Sequence, residues 1–436
     1  LDQYISVNKL EDNSILIHLK KVVSNFSALF IIQGANYLLP LITIPYLLRV
    51  IHIEHFGEVS VSLALIHYFV IITDYSFNIS ATREVARLKG NLNAISSYYS
   101  RIFFTRLFLL LISLILFIVI VFAVPEFRGK IAVFAGVTGI VIGQTLQPVW
   151  LFQGIEKMQI LTLLSFLSKL ITTIFIFSFI QKEGDYTLVP IFYSVGFLSA
   201  GILSLVYAHK IIKVRFVFNE IKNISVELKN GWHLFLSNIA VNIYTVSASV
   251  ILALFSTDAQ VGYFSLAEKI INALKAIPQI LFQAIYPRAV AIASNIDQLK
   301  NFFQKIFIPG VILFLAGSTL LFFTSGLIIS ILAGEKNVIS MNILKIMAFI
   351  PTVILVNIPF YQILLVYNQN KTVSFILIGG SFTSLVLTIL MVILFKATGA
   401  AISMLITEIL VLLLLVFAAI KYIRSNTIRN SQNEIS

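Results

Sequence analysis

The chain has no cysteine among its 436 residues, which removes disulfides, thiolate metal sites and cysteine nucleophiles together. Charge is scarce too. Asp, Glu, Lys and Arg make up 11% of the residues, against about a quarter in soluble domains. There is no G-x-x-x-x-G-K-[ST] phosphate loop, no H-E-x-x-H and no G-x-S-x-G, so the usual nucleotide, zinc-protease and serine-hydrolase signatures are all missing. His67 is the one histidine deep in an apolar run and has no ligand-spaced companion. A lone histidine is more often structural or a proton site than a metal ligand. No metal, cofactor or enzymatic chemistry is therefore expected.

What the chain has instead is hydrocarbon. Hydrophobic residues reach 58%, and apolar runs of about 18 or more residues, enough to cross ~30 Å as a helix, recur from end to end. The runs predict an all-α polytopic membrane protein with about twelve spans. These lie near 23–48, 57–77, 102–124, 131–152, 160–180, 188–208, 232–256, 262–290, 306–332, 340–366, 372–395 and 398–421. Residues 1–21 are mixed and polar with no small-residue cleavage site, so no cleaved signal peptide is read there.

The net charge of +12 would suggest nucleic acid in a soluble chain. Here it fits loop lysine and arginine that orient helices. With the N-terminus in the cytoplasm, roughly 20 Lys and Arg fall inside, about 6 outside and about 5 within spans. Both termini are then cytoplasmic. The outer loops are very short, and an enzyme acting on the far side would need a longer one to hold its site.

The basic 209–231 loop divides the chain into 1–208 and 232–436, two groups of six spans that enter the membrane the same way round, as in transporters built from parallel repeats. A shift of 205 residues lays Gly57 on Gly262, Ser60 on Ser265, His67 on Asn272, Asp74 on Gln279, Asn78 on Gln283 and Arg83 on Arg288. It also lays Gln33 on Asn238.

Polar side chains in hydrocarbon cost roughly 2.5–3.5 kcal/mol each for Asp, Lys or Arg at a span centre, so their positions should mark a wet interior. In the eighth span Glu268, Asn272, Lys275, Gln279 and Gln283 recur every three or four residues and share one helical face. Asn238, Asn242, Thr245 and Ser249 repeat the pattern in the seventh span, Ser60, His67, Asp74 and Asn78 in the second, and Gln33 and Asn36 in the first. These four helices are expected to line a polar cavity, although Asn, Gln, Ser and Thr also fasten helices to one another. Lys269 lies off the stripe and is expected to snorkel, as are Arg49 and Arg106 near span ends. Lys169, Lys345 and Glu408 sit inside apolar spans, and a Lys169–Glu408 ion pair is one way to neutralise two of them. Pro40, Pro45, Pro278, Pro287, Pro351 and Pro359 are expected to bend their helices.

Several phrases are similar to a known family. QGANYLLPLITIPYLLRV at 33–50, HFG at 55–57 and DYSFNISATREVAR at 74–87 resemble the start of Wzx-type O-antigen flippases. PVWLFQGIEKM at 148–158, YFSLAEKI at 263–270 and PQILFQAIYPR at 278–288 continue the resemblance in order through both halves. It implies the fold of the multidrug/oligosaccharidyl-lipid/polysaccharide exporter superfamily, two six-helix bundles around a central polar cavity. It also implies a substrate, an undecaprenyl-diphosphate-linked oligosaccharide, moved from the cytoplasmic to the periplasmic leaflet of a bacterial inner membrane. Membrane lipids and the polymerase of the same pathway are the further expected partners, and nucleic acid is not one.

Helical position, not any family site, nominates the residues. Lys275 is the expected cation for the diphosphate or an acidic sugar. Asn238, Asn242, Asn272, Gln279, Gln283, Gln33 and Asn36 are the expected hydroxyl partners. Asp74, Glu268 and His67 are candidates for ion coupling. A cation-coupled drug exporter of the same superfamily would share this architecture. The excess of positive charge near the cavity disfavours it, and the absent periplasmic loop disfavours a membrane-embedded polymerase or ligase.

Overall fold

A computed structural model describes residues 38–218, 223–293 and 296–424, and within those ranges it describes no side chains at 237, 240, 241, 243–245, 283, 284, 287 and 297. Gln33, Asn36, Thr245, Gln283 and Pro287 therefore lie outside the described residues. Every described element is helical. In chain order they are α1 (Asp2–Asp74, described from residue 38), α2 (Phe77–Arg87), α3 (Leu92–Ala123), α4 (Pro125–Arg128), α5 (Ile131–Gly136), α6 (Thr138–Leu146), α7 (Val149–Gly154) and α8 (Met158–Phe179). They continue with α9 (Leu188–Tyr207), α10 (Ile224–Phe255), α11 (Asp258–Ala291), α12 (Ile296–Ala333), α13 (Val338–Met347), α14 (Ile350–Val366) and α15 (Asn370–Asn433, described to residue 424).

Eight stretches among the described residues are long and apolar enough to cross a membrane. Two of them contain a residue with non-helical backbone angles inside one continuous helix. α1 is interrupted at His52 (φ 59°, ψ 170°) and α15 at Lys396 (φ 53°, ψ −133°). The expected spans 23–48 and 57–77 fall on the two arms of α1, and 372–395 and 398–421 on the two arms of α15. Neither break is at a proline: Pro40, Pro45 and Pro359 lie inside continuous helices. The expectation holds better at Pro351, where the turn between α13 and α14 comes just before it. Pro148 is not among the prolines expected to bend a helix, yet its restriction of the preceding residue ends α6.

Side-chain caps mark several starts. Asn91 accepts from the Ala94 N–H (3.0 Å), Thr257 from Gln260 (3.4 Å) and Asn337 from Ser340 (2.9 Å), each satisfying an amide that the first helical turn leaves open. α10 begins inside the loop expected at 209–231, and its Glu227 pairs with Arg101 of α3 at 3.3 Å. The segment before it is strapped to α3 as well. The N–H groups of Arg215 and Val217 donate to Ser96 Oγ (3.1 Å) and Ser100 Oγ (2.8 Å).

Packing sorts the helices into an N-terminal set, where α6, α8 and α9 lie against α1, and a C-terminal set, where α13, α14 and α15 lie against α10 and α11. The two sets meet chiefly along α1 and α11, the most extensive helix pair in the molecule's described part. Inside each set small residues let backbones close up. A Cβ on Gly143 of α6 would sit 2.4 Å from the Phe197 carbonyl of α9, and one on Gly201 of α9 2.4 Å from the Gly143 carbonyl.

Arg106 overturns the snorkelling expectation. It is 4% exposed and points into the N-terminal set. Its Nη1 and Nη2 donate to the Gln147 and Gln144 carbonyls at 2.8 Å, and its Nε to Thr73 at 3.4 Å. The guanidinium thus caps the end of α6, whose last carbonyls have no helical partner. Asp74 supplies the opposing charge. Arg49 reaches from α1 to the Ile331 carbonyl of α12 at 3.3 Å.

Candidate functional site: a polar seam between the two halves

The seam is built on the repeat. Near one end of α11 a Cβ on Gly57 would lie 2.0 Å from the Asp258 carbonyl oxygen, and one on Gly262 would lie 2.2 Å from that of Ile53. The shift that carries Gly57 to Gly262 also carries Ile53 to Asp258. The two contacts are therefore one contact made twice, across an approximate two-fold axis. Only glycine permits helix backbones this close. At the same end, Lys130 of the loop before α5 makes an ion pair with Asp258 across the halves. His55 pairs there with Glu58 (3.0 Å) and Glu183 (3.5 Å) and stacks on Tyr186.

From that crossing the helices diverge, and the equivalent pairs record it step by step. Ser60 and Ser265 are 6% and 1% exposed, with no hydrogen-bond partner on either hydroxyl. Leu63 and Glu268, then Ala64 and Lys269, are half-buried, and His67 and Asn272 are exposed. The wedge holds a cavity of about 330 Å³ lined by Ser60, His67, Ser249, Ser265, Glu268, Lys269 and Asn272, among others. Glu268 accepts from Ser249 Oγ at 3.3 Å and feels the charges of Lys269 and Lys275. Lys269 therefore does not snorkel: it lines the seam, with its ammonium 6.0 Å from the centre of the Phe56 ring.

Asn238 and Asn242 lie beside this cavity as fasteners. Asn242 Nδ2 donates to the Asn238 carbonyl and to its Oδ1, both at 2.9 Å, and the Asn242 side chain also bonds His67. This ties α10 to α1. Asp74 does not join the seam. It sits at the far end of α1 with Arg106, just before Tyr75 (φ 47°) and Ser76 (φ 63°) turn the chain into α2.

Lys275 and Gln279 open into a different space. Together with Phe282 of α11, Asn357 and Tyr361 of α14, and Glu408 of α15, they line a cavity of about 430 Å³ within the C-terminal set. Glu408 thus shares its cavity with Lys275, whereas Lys169, its expected partner, is not among the lining residues. Among the described residues no group of three or more His, Cys, Asp or Glu could hold a metal ion.

A family model described as polysaccharide biosynthesis protein matches residues 22–293, a stretch that includes α1, α10 and α11. The chain belongs to the polysaccharide biosynthesis protein family. A protein of Escherichia coli (strain K12) described as "Putative O-antigen transporter" is 31% identical over 405 residues, covering 92% of this chain and 96% of that protein. One of Shigella dysenteriae with the same description is 30% identical over 397 residues, covering 90% and 99%. Among solved structures, the lipid II flippase MurJ in an inward closed conformation superposes with a TM-score of 0.66 at 16% identity, over 90% of this chain and 87% of that one. An inward-facing multidrug resistance MATE family transporter of the MOP superfamily gives 0.66 at 12% identity, over 89% and 98%. At such identities the superpositions establish the fold alone.

For this polysaccharide biosynthesis family member the stripe on α11 was visible in the sequence, but its division between two cavities was not. Helical phase places Asn272 and Lys275 on one face, while the walls opposite them come from α1 and from α14 and α15. The unpartnered Ser265 had one signal, its match to Ser60 under the 205-residue shift, while Ser60 also lay on the polar stripe of the second span. Asn357 had none beyond being an amide in an apolar run.

Proposed function

We propose that the protein is a flippase that carries undecaprenyl-diphosphate-linked oligosaccharide units across a bacterial inner membrane, by alternating access of its two halves. The observation that carries this reading is the seam: polar residues of two repeat-related helices around a wedge-shaped cavity, closed at one end by backbone contact. A charged, hydroxyl-rich headgroup cannot enter hydrocarbon alone, and the seam offers hydroxyls, an amide, a carboxylate and an ammonium in place of water. The polyprenyl chain would stay in lipid at the opening. The relatives described as O-antigen transporters support the same substrate class.

With both termini cytoplasmic, as the loop charges require, the Gly57/Gly262 end is periplasmic and the cavity opens toward the cytoplasm. Twelve crossings follow if α1 and α15 each count twice and α10 and α11 each cross once, giving halves at 1–208 and 232–436 joined by 209–231. Within the seam Lys269, Ser60, Ser265 and Asn272 meet the diphosphate, and Glu268 with His67 forms the ion-coupling site. Reporter fusions should place residue 220 in the cytoplasm and residue 258 in the periplasm. Finding both on one side would remove this arrangement.

The deciding experiment is deletion in the native host followed by analysis of lipid-linked intermediates. Single repeat units should accumulate in the inner leaflet and hand nothing on to the polymerase of the pathway. Unchanged translocation together with new drug sensitivity would point instead to an exporter.

A further inference from the structure

We infer that the cavity of about 430 Å³ inside the C-terminal half is a saccharide subsite, which holds an outer sugar of the headgroup, beyond the one joined to the diphosphate, while the diphosphate remains at the seam. This rests on the flippase reading and adds to it a second, chemically distinct place.

The volume falls in the range of about 300–1,000 Å³ typical of small-molecule sites. Its walls carry both kinds of hydrogen-bonding group. Lys275 donates, Glu408 accepts, and Gln279, Asn357 and Tyr361 can do either. Asn357 is 8% exposed, and its Oδ1 has no hydrogen-bond partner in the protein. A buried amide oxygen left unpaired is costly, and in a polar cavity wall a ligand hydroxyl would relieve that cost. Phe282 and Tyr361 add two rings whose centres are 5.7 Å apart at 61°, apolar surface suited to the C–H faces of a pyranose.

Charge separates the possible occupants. The ammonium of Lys275 and the carboxylate of Glu408 come from different helices and offset one another, so the cavity does not select a diphosphate. An isoprenoid chain would cover both charges and the amides with hydrocarbon, leaving them without water, which is strongly unfavourable. A neutral polyhydroxylated ring satisfies donors and acceptors at once.

The absence of cysteine makes every introduced thiol unique. Asn357→Cys and Tyr361→Cys would be labelled with N-ethylmaleimide in membranes from three host strains. One makes complete lipid-linked repeat units, one stops at the carrier with a single sugar, and one makes no glycosylated carrier. The expected result is labelling slowed about tenfold by the complete unit alone, the ratio set by a tenfold difference in occupancy. Equal rates in all three strains would overturn the subsite, and equal protection by the single-sugar carrier would overturn it too, reassigning the cavity to the first sugar, the diphosphate or the lipid. Should either cysteine variant fail to fold, Glu408→Gln decides the matter by translocation. The complete unit should move about tenfold more slowly while the single-sugar carrier keeps its wild-type rate, and uniform loss of both would overturn the inference. A wild-type protein that moves neither carrier would remove the flippase reading instead, and the labelling result would still report on the cavity.

Discussion

The two halves treat buried charge in opposite ways. In the N-terminal half Arg106 is sealed in, with three backbone carbonyls and Asp74 around it. In the C-terminal half Lys275 and Glu408 face a space of about 430 Å³ with an unpartnered amide in its wall. An ion bonded to three carbonyls of its own chain holds the fold together. An ion that faces a cavity with an unpartnered amide in its wall is placed where a ligand can also reach it. What differs between the two is the room beside the charge.

The comparison breaks most visibly at Arg106. Arg106→Met should leave the Gln144 and Gln147 carbonyls and the Asp74 carboxylate uncompensated, at about 3–5 kcal/mol, and collapse the yield of folded protein measured by size-exclusion chromatography in detergent. Lys275→Gln should do the reverse. Folded yield should stay near wild type while translocation of complete repeat units falls about tenfold, a loss of ~1.4 kcal/mol, with Lys275→Arg retaining part of it. If Lys275→Gln abolishes the folded protein, the two sites are alike and the distinction fails.

The seam sharpens the comparison with smaller effects. Gly57→Val places side-chain atoms where Asp258 has its carbonyl, whose oxygen lies only 2.0 Å from where a Cβ would stand. It should hold this end of the seam apart and slow transport by about an order of magnitude, and in the proposed orientation cysteines near residue 60 should become reactive to impermeant reagents from outside. The Lys130–Asp258 pair, at 19% and 29% side-chain exposure, should matter least. Lys130→Ala should cost about 0.2–1 kcal/mol, read as a shift of no more than a few degrees in thermal unfolding, and smaller at high salt.

Much of this was legible in the sequence because the bilayer imposes it. Span existence follows from apolar length, and the 205-residue shift already set Gly57 on Gly262, although that the two meet across a seam is seen only in the structure. The function of Arg106 was not legible, since an arginine near a span end has the same sequence signature whether it snorkels or caps a helix. Neither was the meeting of Lys275 with Glu408, which depends on how three helices converge. The breaks at His52 and Lys396 fall in the gaps left between expected spans, at 49–56 and 396–397, but neither carries a proline or glycine that would have said how the backbone turns there. Gln33, Asn36 and Gln283 lie outside the described residues, so their place in the cavity rests on helical phase alone.

The reciprocal glycine contact has the form of an isologous interface, in which residue i of one copy meets residue j of the other and j meets i. A half-length ancestor could have made the same contact with a second copy of itself, each substitution then counting twice. Fused into one chain, the two faces became free to diverge, and they have: Leu63 and Ala64 stand where the other half has Glu268 and Lys269, and His67 where it has Asn272. The seam kept its symmetry where backbones touch and lost it where the cavity begins. A homodimer must offer a ligand the same wall on both sides; this chain sets Leu63 and Ala64 across from Glu268 and Lys269, which gives an asymmetric headgroup a single way to lie.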